Sequence, residues 1–192
     1  WSITAGVITC WARCFDARSA QVARVIEARW LAAFTDVLGR CGVQRGDACA
    51  VLAETQSRPV LVATASLALQ QLGARPFVVT VPSPAASVVP VRSTGASTAL
   101  GGHDAAVQSL ARCALVVDCT VDGLQHAAEL PAILAGGARV LVVSNEHPEI
   151  LERCLPRAED EAVVRDAMRR LKSAKRMTVF SRAGTDLQIE LA

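Results

Sequence analysis

Apolar positions along the chain change their period several times, and each change predicts an element. From Ser19 to Leu38 they recur at helical spacing (Val22, Val25, Ile26, Trp30, Ala33, Phe34, Val37), with Gly39 as the stop. Arg45-Gly46-Asp47 then turns the chain into the unbroken run Ala48 to Ala53, ended by Glu54, the pattern of a strand buried on both faces. Ser57 is placed to cap a helix from about Pro59 to Gln71, closed by Gly73, and Phe77 to Val81 reads as a second strand. Residues 82–102 show no period and are rich in Pro, Gly, Ser and Thr, a long loop of the kind that is functional or mobile.

The alternation then resumes. A helix is predicted over His103 to Arg112, a third strand over Ala114 to Asp118, and a helix over His126 to Ala135 ended by Gly136-Gly137. Arg139 to Ser144 is the fourth strand, His147-Pro148 opens a short helix to Leu155, and Glu159 to Ser173 is a longer amphipathic helix. Met177 to Ser181 reads as a fifth strand, with a further strand over Leu187 to Leu191 leaving the sheet. Strand and helix in turn predict a three-layer α/β domain, its mostly parallel sheet of about five strands covered by helices on both faces. Residues 1–18 form a lead segment, 19–182 the α/β domain, and 183–192 the start of a further, C-terminal metal-binding domain that the family resemblance below implies.

Composition narrows the classes. With 192 residues and 52% apolar content the chain has ample material for one core. Twenty basic and eighteen acidic residues leave a net charge of +2. Tyr is absent, and the one dense basic stretch, Arg165 to Arg176, lies on a predicted helix as a solvated face. A nucleic-acid partner is therefore not expected. Nor is a membrane partner, since no apolar run reaches the ~18 residues of a span. Seven cysteines, an odd number without a C-x-x-C pair, read as reduced structural thiols, which places the chain in the cytoplasm.

In a parallel sheet ligands gather at the carboxyl ends of the strands. That rule selects Glu54, the loop after Val81, Asp118 to His126, and Ser144 to His147 as the rim. No phosphate loop and no G-x-S-x-G elbow is present. Leu100-Gly-Gly-His103 offers backbone donors for an anion, or is an ordinary approach to a helix. His103 and His147 read as surface and turn residues. His126, after Asp122-Gly123 on the rim, either points into a cleft with a functional role or is a buried structural histidine. Asp118 either serves the site or caps the following turn. The three histidines are dispersed, so no metal site is expected within this chain and no substrate-binding residue is singled out.

The run Pro148-Glu-Ile-Leu-Glu-Arg-Cys-Leu-Pro156, then Asp160, Leu171-Lys-Ser-Ala174 and Ser181-Arg-Ala-Gly-Thr-Asp186, resembles the 2,5-dihydroxypyridine 5,6-dioxygenase family. That family is similar in fold to the thermophilic metalloaminopeptidases, which share the Gly-Thr-Asp turn. Thr98-Ala-Leu100, Leu115-Val-Val-Asp118 and Leu124-Gln-His126 fall in the family's order, so the resemblance spans roughly residues 45 to 190.

The resemblance implies the N-terminal domain of a non-haem Fe(II) ring-cleaving dioxygenase acting on a hydroxylated pyridine. Two histidines and an aspartate in a C-terminal domain hold the family's iron, so Fe(II) is expected outside this chain, which alone is expected to be incomplete and inactive. The family's N-terminal domain contributes a histidine, in a Leu-Leu-His-Ser segment, to a neighbouring subunit's active site. His126 is the matching position, with Gln125 and Ala127 in place of the flanking Leu and Ser. It implies a small aromatic substrate, a homo-oligomer, and His126 as the catalytic residue that hydrogen-bonds or passes a proton to the substrate. Two alternatives stand beside it: a metalloaminopeptidase domain with a two-metal hydrolytic site, and a non-catalytic α/β binding domain.

Overall fold

The structure, a computed structural model, describes residues 2–4, 7–9, 25–85 and 95–191. They form two compact units, Trp1–Arg153 and Cys154–Ala192. In the first, a short antiparallel pair, β1 (Ser2–Thr4) and β2 (Val7–Thr9), precedes α1 (Ala28–Arg40). There follow β3 (Ala48–Glu54), α2 (Pro59–Gln71), β4 (Arg75–Val81), α3 (Asp104–Ala111), β5 (Leu115–Asp118), α4 (Leu130–Ala135), β6 (Arg139–Val142) and α5 (Pro148–Arg153). The second unit holds α6 (Asp160–Ser173) and the strands β7 (Arg176–Phe180) and β8 (Asp186–Glu190).

Strands β4-β3-β5-β6 lie side by side in that order and all pair in parallel. Cys49, Val51, Leu115 and Val117 face a core closed by Phe34 and Leu38 of α1 and by Leu61, Ala65, Ala68 and Leu69 of α2. The intervening residues Ala50, Leu52 and Val116 face a second core, filled by Leu110 of α3, Ile133 of α4 and the loop residues Leu100 and Leu124. Successive side chains point to opposite faces, so a strand apolar at every position needs helices on both. The expected three-layer parallel α/β architecture is the one observed.

Several local expectations are corrected. Met177 to Ser181 is not a fifth strand of this sheet: β7 pairs antiparallel with β8, Met177 opposite Ile189 and Val179 opposite Leu187. The turn at Ser181–Thr185, closed by the Ser181 amide donating to the Thr185 carbonyl (3.1 Å), folds the strand back on its own successor. Helix α1 starts at Ala28 because Glu27 is extended (φ −77°, ψ 138°). The earlier part of the helix expected from Ser19 falls partly on residues outside those described. Gly39 does not stop α1; the chain reverses at Gly42 (φ 75°), whose amide donates to the Gly39 carbonyl.

Helix α4 starts at Leu130, not His126. Pro131 has no amide hydrogen to give the Ala127 carbonyl, so it fits only the first turn of a helix. The segment Leu100–His103 closes as a turn, the His103 amide donating to the Leu100 carbonyl (2.9 Å), and leads directly into α3.

The expected boundary after Arg182 lies within the second compact unit, between its two strands. In α6, Arg165 pairs with Glu161, and Arg169 and Arg170 with Asp166, so much of the basic stretch is balanced on its own helix. Among the described residues no helix is long and apolar enough to cross a membrane.

Candidate functional site at the sheet switch point

The sheet changes winding direction between β3 and β5. From β3 the chain crosses by α2 to β4 on one side, then by α3 to β5 on the other. The segments that leave the carboxyl ends of β3 and β5 therefore run to opposite faces, and ligands of such sheets bind in the crevice between them. Glu54 ends β3 and Asp118 ends β5, both buried.

Both carboxylates accept hydrogen bonds from the loop after β5. One oxygen of Asp118 accepts the Thr120 amide (3.0 Å) and the Thr120 hydroxyl (2.7 Å), and the other accepts the Leu124 amide (2.7 Å). Burial pushes the Asp118 carboxyl above its ordinary value; the Thr120 and Leu124 bonds pull back, and the Glu54 charge adds a smaller upward push. Glu54 Oε1 accepts the Val121 amide. Burial, with Asp118 beside it, likewise drives the Cys119 thiol far up, so it stays a neutral thiol.

Ser57 does not cap α2. Its hydroxyl accepts the Glu54 amide (2.8 Å) and donates to the Cys119 carbonyl (2.7 Å), binding the ends of β3 and β5 together. The start of α2 is held by Asn145 from the loop after β6: Asn145 Oδ1 accepts the Arg58 amide (2.6 Å), and its Nδ2 donates to the Gln56 carbonyl (3.1 Å). Beside it Ser144 sits at φ 53°, outside the usual range for a residue with a side chain. The loop after β4 joins the rim through Ser83, whose Oγ accepts the Gln56 amide (3.0 Å) and lies 3.1 Å from Thr55 Oγ1. Residues 86–94 of that loop lie outside those described.

His126 stands exposed on this rim, in a turn between Leu124 and α4. The Ala127 amide donates to the Leu124 carbonyl (3.0 Å), fixing the turn. From the other side the segment 95–97 closes over it. The Gly95 amide donates to the Asp122 carbonyl (2.7 Å), the His126 amide to the Gly95 carbonyl, and the Ser97 amide to the Gly123 carbonyl (2.9 Å).

The other histidines are apart from this arrangement. His147 meets Trp30 edge-on at 4.8 Å and accepts the Glu149 amide through Nδ1 (3.3 Å). His103 precedes α3. Among the described residues no three of His, Cys, Asp and Glu stand together as a metal-binding group. The rim rule placed Glu54, Asp118, His126, Asn145 and the loop that carries Gly95 at the carboxyl ends of the strands, but it gave no sign of the hydrogen bonds that Gly95, Ser57 and Asn145 make there. Nothing local sets Gly95 apart from Gly101 and Gly102, and the partners of Ser57 and Asn145 are distant in the chain.

Fold and rim define a doubly wound α/β domain whose switch point is built to hold one loop, with a lone histidine presented on it. A family model for 2,5-dihydroxypyridine 5,6-dioxygenase (NicX) matches residues 29–192. The chain belongs to the 2,5-dihydroxypyridine 5,6-dioxygenase family. It is 35% identical over 161 residues to the 2,5-dihydroxypyridine 5,6-dioxygenase of Pseudomonas putida KT2440, covering 82% of this chain and 45% of that protein. The solved structure of 2,5-dihydroxypyridine dioxygenase from the same strain superposes with a TM-score of 0.73 at 34% identity, covering 88% of this chain and 48% of that one. The chain thus spans about half the length of the relatives it matches.

Proposed function

We propose that this chain is the N-terminal α/β domain of a non-haem Fe(II) ring-cleaving dioxygenase acting on a hydroxylated pyridine, and that His126 is its contribution to the chemistry. The observation that carries the reading is the match to the dioxygenase over most of the chain, together with an exposed histidine on the switch-point rim. The described residues do not fit an iron site. No three candidate ligands stand together, and the Asp118 oxygens are occupied by three donors of their own loop. In this reading the iron is held by residues outside those described.

What the chain supplies is a positioned base. An imidazole nitrogen of His126 accepts a hydrogen bond from a hydroxyl on the pyridine ring and takes its proton, raising electron density on the ring that is to be cleaved. A small aromatic ligand offers little charge for recognition, which suits a rim whose described residues form no basic cluster. The exposed setting of His126 supports a role toward a second copy's substrate in a homo-oligomer, in a cytoplasmic enzyme.

The test is an oxygen-electrode assay on the protein as its gene encodes it, loaded with Fe(II) and given 2,5-dihydroxypyridine. Oxygen uptake coupled to loss of the pyridine absorbance, reduced in His126→Ala, is the expected result. Hydrolysis of aminoacyl substrates without oxygen uptake would overturn the reading in favour of a metalloaminopeptidase.

A further inference from the structure

We propose that Asp118 and Gly95 are positioning residues for His126: a carboxylate ties its turn to the sheet from below, and a glycine clamps it from the other side. The meaning of this for turnover rests on the reading of His126 given above, whereas the clamp itself is a property of this chain alone.

The Leu124 amide begins the turn that carries His126, and its acceptor is Asp118 Oδ2. Asp118 is buried at the end of β5, held by parallel neighbours on both sides, so the tether runs to the most rigid part of the fold. Above, Gly95 adopts φ 72° and both gives and takes a backbone hydrogen bond across the loop, to Asp122 and from His126. A Cβ at Gly95 would stand 3.1 Å from His126 Cδ2 and 3.2 Å from Gln125 Cβ. The imidazole thus lies against bare backbone, and any side chain there pushes on the ring. A group that must meet a substrate atom loses much of its effect when displaced by about 1 Å. An exposed histidine on an unrestrained loop would not hold such a position. This one is restrained from both sides through its own backbone and through its ring.

Three substitutions separate the restraints. Asp118→Asn keeps size but turns one oxygen into an NH2 group, which cannot accept; one of the three loop donors at the least loses its partner. Gly95→Ala adds both the strained φ and the contact with the ring. Gly95→Asn tolerates positive φ better but keeps the Cβ contact, so it isolates close approach from backbone conformation.

The readout is the His126 ring resonances by NMR on this chain, assigned by their loss in His126→Ala, with those of His103 and His147 as internal controls. All three variants should move the His126 signals and leave the controls in place. Unfolding equilibria should show coupling: the Gly95→Ala penalty falls in a His126→Ala background but does not vanish, because the strained φ and the Gln125 contact remain. Should Gly95→Ala not fold, Asp118→Asn and Gly95→Asn still carry the test.

Unmoved His126 signals in Asp118→Asn and Gly95→Asn overturn the proposal. Wild-type signals in Gly95→Asn alone overturn the glycine's part. In the complete enzyme the same variants should lose about 10- to 100-fold in kcat/KM. Displaced ring signals with full turnover would leave the clamp standing and sink the functional reading of His126.

Discussion

The Ser57 hydroxyl donates to the Cys119 carbonyl across 2.7 Å, joining the residues that follow β3 and β5 although 62 positions separate them in the chain. The same oxygen accepts the Glu54 amide, so one buried side chain satisfies two backbone groups at the switch point. Ser57→Ala removes both partners at once and leaves a buried amide and a buried carbonyl unpaired. A loss of about 2 to 4 kcal/mol is expected in denaturant unfolding, with an unchanged slope. A loss below about 0.5 kcal/mol would show that the bond does not bridge the strand ends.

Asp118 makes stability depend on acid. Its carboxyl is raised above the ordinary 3.8 by burial, so the folded chain holds that proton at a pH where the unfolded chain has released it. Its contribution is therefore fully present below about pH 3.8 and is lost as pH rises through the higher folded value. Asp118→Asn cannot titrate and should remove this part of the slope. Unfolding followed from pH 3 upward in both proteins measures it; parallel curves would contradict the raised value.

His126→Ala should matter for turnover and little for folding. In the active enzyme kcat/KM should fall by about 10²-fold, the usual scale for a positioned acid–base group. The ring is exposed, so stability should change by no more than about 0.5 kcal/mol. Normal turnover with a lowered melting point would identify a structural histidine instead.

Gly136→Ala should be poorly tolerated for want of space, not for backbone angle. Gly136 has an ordinary φ of −73°, but a Cβ there would meet the Ala111 carbonyl and stand 2.7 Å from the Ala111 Cβ. Forcing α3 and α4 apart should cost about 1 to 3 kcal/mol. The neighbouring Gly137 has nothing within 4 Å of its Cβ position but has φ 95°, so Gly137→Asn should be milder than Gly137→Val. Equal effects of these two would point to crowding at Gly137 as well.

Thiol chemistry should follow burial. Cys49, Cys113 and Cys119 are buried, Cys41 half-buried and Cys154 exposed, all five as free thiols. Of these five, a thiol reagent should label Cys154 first and Cys119 last in native protein; mass mapping of the labelled peptides reads the order. Denatured, unreduced protein should titrate all seven cysteines, including Cys10 and Cys14, which lie outside the described residues.

Much of the fold was legible because burial on two faces leaves a plain mark. Ala48 to Ala53 and Leu115 to Val117 are apolar at every position, and only a strand covered by helices on both sides requires that. The order of strands and helices then determined where the rim must lie, and with it Glu54, Asp118 and His126. The sequence could not settle where helices begin, since that turned on single residues: the extended Glu27 before α1 and Pro131 in α4.

Nor could it say which element β7 would pair with. Alternating Met177 and Val179 fit a sheet edge and a hairpin equally, and the turn at Ser181–Thr185 decided for the hairpin. The switch-point network was decided by tertiary structure alone. Hydrogen bonds such as Ser57 to Cys119, Asn145 to Arg58 and Gly95 to Asp122 join residues far apart in the chain, and local period carries no trace of a partner that only folding brings near. The sequence by itself determined the layers and the rim. Whether Asp118 faces a ligand or its own loop depended on which donors the fold placed within about 3 Å of a buried carboxylate.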